Sequence, residues 1–346
     1  MIDLKSKNLQ ELCEFVTKLS YPKYRAEQLF RRIHARGARS FDEMTDLPRE
    51  MISYLKENAR ISFVETERKL TSSSDGTVKY LYRLHDGHFV ETVVMKYHHG
   101  YSVCLSTQVG CRMGCAFCQS TKGGKVRDLA PSEIIDQMMF AERDLDIRIG
   151  NIVLMGIGEP LDNFENVIRF LELVGHPKGQ NIGYRHISLS TCGLVPKIYQ
   201  LAEYDFPITL SVSLHAPFDD MRNKIMPVNR KYDISALMRA VFDYQKITNR
   251  RVSFEYTLIR GMNDTRECAA QLVKLLRGRL CHVNLIPVNK IQNERFDASD
   301  RRHIAAFQEY LTQRGVNATV RRTLGADISA SCGQLRSDQL EKEGTS

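Results

Sequence analysis

Seven short apolar runs recur between residues 101 and 322, and stretches with helical periodicity separate them. In chain order the runs read "YSVCLST", "NIVLMG", "RHISLST", "ITLSVSLH", "RVSFEYTLI", "HVNLIPVN" and "NATVRR". Strands that alternate with helices form a parallel sheet with right-handed crossovers. The pattern predicts an α/β fold of about six strand–helix units, either an open doubly wound sheet or a partial or complete barrel. In both arrangements, functional residues gather at the carboxyl ends of the strands.

The chain before this repeating part has a different pattern. Residues 1–60 have the pattern of short helices, and "TSSSDGT" is typical of a turn. The runs "VKYLYRL" and "HFVETVVMKY" flank a second turn at Asp86 and Gly87, which predicts paired strands. We predict a helical accessory domain at 1–60, a β-hairpin linker at 61–99, the α/β body at 100–335 and a polar tail at 336–346.

The composition is that of an ordinary globular protein, with 42% hydrophobic and 26% charged residues. The sequence contains neither an apolar run long enough to span a membrane nor a secretion signal at the start, so we expect a cytoplasmic protein without a membrane partner. In a reducing compartment, nine cysteines indicate metal or catalytic use more than disulfides. The net charge of +8 suits a polyanionic partner but does not require one.

The basic residues are concentrated in "YPKYRAEQLFRRIHARGAR", where Glu27 is the one acidic residue among six Lys and Arg side chains. Ala26, Leu29, Phe30 and Ile33 recur at helical spacing, which predicts an amphipathic helix with a basic outer face. Such a face either is simply solvated or binds RNA phosphates.

Three cysteines lie close together in "CRMGCAFC", where Cys111, Cys115 and Cys118 have the spacing C-x3-C-x2-C. Gly110 and Gly114 allow the tight backbone path that convergence of three thiolates requires. Structural zinc would need a fourth ligand, for which His98, His99 or Cys104 are candidates. A cubane iron–sulfur cluster with three protein thiolates would leave one iron open, and the spacing favours this cluster over zinc.

The cysteine motif, with Phe117 before its last cysteine, resembles the signature of the radical S-adenosylmethionine (SAM) superfamily. The ordered motifs "VLMGIGEPLDN", "HISLSTCGLVPKI", "SVSLHAP", "IMPVNR", "HVNLIPVN" and "GADISASCGQL" narrow the resemblance. Together they are similar to the RlmN family of adenine carbon-2 methyltransferases, across nearly the whole chain. A related family, Cfr, methylates carbon-8 of the same ribosomal adenine and shares most of these motifs.

The resemblance implies a TIM-like partial (β/α)6 barrel that holds a 4Fe-4S cluster and uses two SAM molecules per turnover. It implies methylation of adenine 2503 of 23S ribosomal RNA and of adenine 37 of transfer RNA. The alternative is carbon-8 methylation of ribosomal RNA, which gives antibiotic resistance. Two other possibilities remain open on the residues alone: a zinc-stapled RNA-binding module without catalysis and a radical enzyme with another substrate.

Catalytic roles also follow from the resemblance. One SAM methylates the sulfur of Cys332, and a second is cleaved to a radical that removes hydrogen from this methyl group, so that its carbon adds to adenine. Glu91 corresponds to the base that removes the carbon-2 proton. Cys104 corresponds to the thiol that releases the product by forming a disulfide with Cys332. Judged from the residues alone, Cys104 and Cys332 are small buried side chains and Glu91 is either solvent-facing or partly desolvated.

The implied SAM contacts lie near predicted strand ends. Gly158 and Glu159, in the loop "GIGEP", correspond to the residues that bind the methionyl ammonium. The remaining contacts are Ser190, Ser213, Leu214, His215 and Asn289. The implied partners are the two RNAs and a flavodoxin-like electron donor, and we expect a monomer. The other cysteines have no matched role, and we predict a structural one for them: Cys13, Cys192, Cys268 and Cys281.

Overall fold

The computed structural model of the protein describes residues 1–288 and 296–330. The N-terminal region is helical, because short amphipathic segments bury their apolar faces against one another; Leu12, Val16 and Leu55 are fully buried. Asn8 begins the first helix with a capping box that includes Glu11. The elements are β1 (Ile2–Asp3), α1 (Leu9–Lys18), α2 (Tyr24–Phe30), α3 (Arg49–Asn58) and β2 (Ala59–Arg60), with β1 and β2 paired in parallel.

A ten-stranded sheet forms the centre of the molecule. From one edge to the other its order is β14-β13-β12-β11-β10-β9-β6-β5-β4-β3. The parallel strands are β6 (Gly100–Cys104), β9 (Ile149–Leu154), β10 (Ile187–Thr191), β11 (Thr209–Ser213), β12 (Val252–Leu258), β13 (Cys281–Pro287) and β14 (Ala318–Val320). They coincide with the seven apolar runs.

Helices connect the parallel strands and cover one face of the sheet. They are α4 (Pro131–Leu145), α5 (Phe164–Gly175), α6 (Val195–Ala202), α7 (Asp219–Ile225), α8 (Ile234–Thr248), α9 (Arg266–Leu276) and α10 (Arg301–Gln313). Six strand–helix units followed by β14 form the predicted partial barrel, and the predicted fold class is confirmed. None of the helices in the described parts of the chain is long and apolar enough to span a membrane.

The predicted hairpin continues the main sheet. The strands β3 (Glu65–Thr71), β4 (Val78–Arg83) and β5 (Phe89–Tyr97) pair antiparallel, and β5 also pairs with β6. The cysteine motif lies between two short strands, β7 (Gln108–Gly110) and β8 (Lys125–Asp128), which pair with each other outside the main sheet. The division of the chain into four sequence regions stays a prediction.

The two faces of the sheet differ in chemistry, because alternate residues of a strand point to opposite sides. In β10, Ile187 and Leu189 belong to the core beneath the helices, whereas Ser188 and Ser190 point to the other face of the sheet. In β12, Phe254 packs in this core, and Glu255 has the opposite parity. In these strands the helix-covered outer face is therefore apolar, and the inner face carries polar side chains.

Candidate active site

A cavity lies at the carboxyl ends of the parallel strands and opens on the inner face. Its wall contains eight of the predicted site residues: Cys111, Cys115, Cys118, Gly158, Glu159, Ser190, Ser213 and His215. The three cysteines come from the loop between β7 and β8, and the other five residues lie at or just after the ends of β9, β10 and β11, which are neighbours in the main sheet. This is the position at which α/β barrels place their functional groups.

The other predicted residues lie outside the cavity wall or outside the described residues. The side chain of Leu214 is buried in the outer apolar core. Glu91 lies on β5, and Cys104 lies at the end of β6 in an apolar cluster that adjoins the cavity through Met155. Asn289 and Cys332 fall outside the described residues, as does the predicted polar tail.

The cysteine loop is fixed by backbone contacts. The Cys111 amide donates to the Gly124 carbonyl at 2.9 Å, and the Thr121 hydroxyl donates to the Cys118 carbonyl at 3.0 Å. Gly114 has a φ of +72°, a conformation that glycine adopts without strain. The loop therefore presents its three thiols to one cavity with little help from other side chains.

Cys111 is buried, Cys115 and Cys118 are partly buried, and the three thiols are close enough to influence one another electrostatically. Burial raises the pKa of Cys111 to about 12, and the neighbouring Glu159 and Cys118 add to the effect. Burial also raises the pKa of Cys115, together with repulsion from Cys118 and Cys111. Metal binding must therefore displace protons from these thiols, because the thiolate is the ligand.

The positions and chemistry of these residues decide whether an iron–sulfur cluster fits here. Within residues 1–288 and 296–330, no three Cys, His, Asp or Glu side chains form a preassembled site for a metal ion. A four-iron cluster does not require such convergence on one point, because each of the three thiolates binds a different iron atom. Three adjacent thiols in the wall of one cavity, beside further polar groups, fit the cluster and a ligand for its open iron.

Glu159 is buried beside the cysteine loop, and its carboxylate is held on two sides. One oxygen accepts from the Leu161 amide at 3.0 Å, and the other accepts from the Cys192 amide at 2.7 Å. Burial raises its pKa, and the Cys192 amide opposes this rise. The Glu159 carboxylate is therefore an oriented hydrogen-bond acceptor in the cavity wall.

Gln108 fixes the backbone around Glu159. Its side-chain oxygen accepts from the Glu159 amide at 2.9 Å, and its nitrogen donates to Asp128 and Asp162. A Cβ atom at Gly158 would lie 2.7 Å from the Cβ atom of Gln108. The glycine at 158 is therefore required for packing against β7, whatever the cavity binds.

His215 occupies an unusual backbone conformation at the end of β11. Its φ is +54°, and its Nδ1 accepts from the Thr257 amide at 2.9 Å. The proton of the neutral ring therefore lies on Nε2. Burial lowers its pKa to about 3, and the charge of Arg222 adds to the effect, so the ring is neutral at physiological pH.

Several functional candidates in or next to this wall were not predicted from the sequence. Glu255 and Thr257 of β12 line the cavity. The alternation of Ser253, Glu255 and Thr257 along the strand could have indicated that they share one polar face. Cys192, which we predicted to be structural, lies in the same wall beside Cys115. Arg222 is fully buried and donates to the carbonyls of Cys192, Ser213 and Leu214, so it joins the ends of two strands.

A second, smaller cluster adjoins the cavity on the inner face. Cys104 is buried there with Val93, Met95 and Ile157, and with Ala330 from the C-terminal part of the chain. Met155 packs against this cluster and also lines the cavity. The cluster therefore brings Cys104 and the segment that precedes Cys332 in sequence close to the cavity.

The predicted basic helix is present, but acidic side chains pair with part of its charge. The segment begins as α2 and continues in a π-helical turn, Arg31–Ala35, with Ile33 fully buried. Arg31 pairs with Glu27 and Arg32 pairs with Asp46, both at 2.9 Å. Arg39 lies over the Phe63 ring at 4.0 Å. These contacts reduce the positive charge available on this surface.

Comparison with known proteins identifies the family. Residues 2–61 match the family model described as the ribosomal RNA large subunit methyltransferase N-terminal domain, and residues 105–273 match the radical SAM superfamily. A "probable dual-specificity RNA methyltransferase RlmN" from Lachnospira eligens is 48% identical, over 99% of this chain and 97% of the relative. The chain belongs to the RlmN family of radical SAM RNA methyltransferases. A relative of the same name from Clostridioides difficile is also 48% identical, over 97% of each chain.

A solved structure agrees with membership of the RlmN family. The crystal structure of a radical SAM methyltransferase from Sphaerobacter thermophilus matches with a TM-score of 0.92 and 41% identity, over 97% of this chain and 99% of that one. The predicted family, fold and enzyme class are thus confirmed. Membership of the radical SAM superfamily also implies the predicted 4Fe-4S cluster and SAM as cofactors.

Proposed function

We propose that the protein methylates carbon-2 of adenine 2503 in 23S ribosomal RNA and of adenine 37 in transfer RNA. One observation carries this proposal. The inner face brings three cluster-type cysteines, an oriented carboxylate and two serines into one cavity, next to the cluster that contains Cys104. RNA substrates also agree with the names of the most similar relatives.

The cavity residues have separate tasks. Cys111, Cys115 and Cys118 would hold the cluster, which when bound supplies the electron for reductive cleavage of SAM. Glu159 accepts hydrogen bonds from the methionyl ammonium, and its two fixed oxygens orient that group. Ser190 and Ser213 bind hydroxyl or carboxylate groups of the cofactor. Leu214, His215 and Asn289 are further SAM contacts in this proposal, and Leu214 would bind through its backbone.

Three further residues complete the reaction. Cys332 carries the carbon to be transferred, which makes two SAM molecules necessary for each turnover. Glu91 accepts the proton from carbon-2. The Cys104 thiolate attacks the sulfur of Cys332, which forms a disulfide and breaks the bond from this sulfur to the transferred carbon; that carbon keeps the electron pair and takes up a proton, so that the methylated adenine is released. The burial of Cys104 with Ala330, two residues before Cys332 in sequence, supports this pairing.

Partners follow from the same proposal. The target adenine has to leave its stack to reach a buried site, as enzymes that modify bases generally require. We propose that exposed basic side chains of the N-terminal helices, such as Arg36, contact RNA phosphates. A flavodoxin-like protein would donate the electron, and the enzyme would act as a monomer.

Product analysis tests the proposal. The reconstituted protein is incubated without oxygen with SAM, a reductant and each RNA in turn, and the digested RNA is analysed by mass spectrometry. We expect 2-methyladenine in both RNAs. If 8-methyladenine is formed instead, the carbon-2 assignment is wrong. Unmodified RNA from brown protein with about four irons per chain contradicts the substrate assignment.

Two variants test the cysteine roles. Cys104→Ala should accumulate protein covalently attached to RNA, because the attacking thiol is missing, whereas Cys332→Ala should form neither this adduct nor methylated RNA. Gel electrophoresis under denaturing conditions measures the adduct, and Cys13→Ala is the control. Normal turnover by Cys104→Ala contradicts its role, and product from Cys332→Ala contradicts the carrier role.

A further inference from the structure

A buried ion pair joins β4 and β5 on the inner face of the sheet. The Lys79 ammonium on β4 is 3.0 Å from a Glu91 carboxylate oxygen on β5, and the side chains of both residues are 6% exposed. No role follows for Lys79 from the sequence motifs. Because a lysine is almost never fully buried without a partner, its position needs an explanation.

The same ammonium contacts a third part of the chain. Lys79 donates to the Ser329 carbonyl at 3.3 Å. The segment that contains Ser329 is docked on the turn between β3 and β4: the Gly325 amide donates to Asp75 at 2.8 Å, and the Ser73 amide donates to Asp327 at 3.0 Å. Lys79 is thus held in place from two sides.

The surroundings of Glu91 explain why a cation is needed there. Val93 and Met95 follow it on the same face of β5 and are buried in the apolar cluster with Cys104. Burial favours the neutral form of a carboxyl group, and a nearby cation favours the ionised form. A carboxyl group can accept a proton only when it is ionised, so a base in this position requires a cation beside it.

We propose that Lys79 is a positioning residue for proton transfer, because its ammonium keeps the Glu91 carboxylate ionised and oriented until the carbon-2 proton moves to it. This inference rests on the proposed function, in which Glu91 is the base. In the step itself, the proton passes from carbon-2 to the Glu91 oxygen, the carbon–hydrogen electron pair stays with the ring, and Lys79 keeps its charge.

The test uses the reconstituted enzyme with SAM, a reductant and a 23S ribosomal RNA transcript. The variants are Lys79→Met, Lys79→Arg, Glu91→Gln and the double variant Lys79→Met/Glu91→Gln. Lys69→Met is the matched control, because Lys69 on the neighbouring strand pairs with Asp144 and is 37% exposed. Two rates are measured by mass spectrometry: methylation of Cys332, which needs no base at carbon-2, and methylation of the RNA.

We expect Lys79→Met to lower RNA methylation by about 100-fold, as a lost general base would, with little change in methylation of Cys332. Lys79→Arg should keep most of the RNA methylation, because it retains the cation. RNA methylation by the double variant should be at most about threefold slower than by Glu91→Gln, since both substitutions disable the same step.

Other results overturn the inference. It is wrong if Lys79→Met methylates RNA at the wild-type rate, if the losses of the two single variants multiply in the double variant, or if Cys332 methylation falls as far as RNA methylation. If Glu91→Gln methylates RNA at the wild-type rate, Glu91 is not the base, and the inference about Lys79 is wrong as well. If the wild type forms no 2-methyladenine, the proposed function itself fails, whereas an active Lys79→Met beside an inactive Glu91→Gln refutes only the role of Lys79.

Discussion

The outer and inner faces of the parallel strands differ although they share one backbone. On the outer face, side chains such as Leu189 and Phe254 are fully buried beneath the helices. On the inner face, the neighbouring residues Ser190 and Glu255 line the cavity. In closed barrels, layers of branched apolar side chains fill the interior, whereas this partial barrel has polar groups there.

This difference separates stability from function. Burial of apolar surface on the outer face supplies most of the free energy that holds the strands in place. The inner face can therefore carry groups that are costly to bury, such as the carboxyl of Glu255. Burial raises the pKa of Glu255, and the positive charge of Arg321 opposes this rise. Substitutions on the two faces should consequently have different effects.

The largest effect is expected from loss of one cluster ligand at the edge of the inner face. Cys115→Ala should bind almost no iron and form no methylated RNA, because two remaining thiolates do not hold a four-iron cluster. Iron content and absorbance of the protein prepared without oxygen measure the loss. Cys13→Ala in the N-terminal helices is the control and should bind about four irons. Full iron content in Cys115→Ala would exclude this cysteine as a ligand.

Adjacent residues of β12 test the two faces directly. Phe254→Ala should lower the free energy of unfolding by about 3–5 kcal/mol, because it leaves a cavity in the outer core. Ser253→Ala, which changes the inner face, should lower it by about 1 kcal/mol or less. Denaturant unfolding measures both values. Equal losses would show that the two faces contribute alike to stability.

Glu255→Gln should make the folded protein more stable at neutral pH. The raised pKa of Glu255 means that its charged form is disfavoured in the folded state. Its stabilising contribution to the free energy of unfolding is therefore fully present below the ordinary carboxyl pKa and is lost as pH rises through the raised pKa. Glutamine removes this loss. We expect the Tm of the variant to exceed that of the wild type by a few degrees at pH 8 and to equal it near pH 4. An unchanged Tm at pH 8 would mean that burial of Glu255 has no cost.

The smallest effect is expected on the exposed surface of the N-terminal helices, outside both faces. Arg36→Ala should weaken RNA binding a few-fold and reduce the slope of log affinity against log salt by about one, as loss of one phosphate contact does. Stability should change by no more than about 0.5 kcal/mol. Filter binding at several salt concentrations measures the slope. Lys246→Ala on α8 is the control, and an equal change in both variants would contradict a specific RNA contact by Arg36.

The sequence alone determined the alternation of strands and helices, since each of the seven apolar runs became a parallel strand. It also determined the cysteine loop, because three ligands with short spacing lie on one loop in any fold. These features depend on local pattern, which periodicity and residue type reveal directly.

The tertiary structure alone decided which distant side chains meet. Arg31 and Arg32 were predicted to lie on a basic outer face, and the fold places Glu27 and Asp46 against them. Cys192 lies in the cavity wall, and Lys79 pairs with Glu91, because the order and register of the strands set these contacts. A sequence pattern shows that a strand has two faces, but only packing decides which residues from other strands and loops share each face.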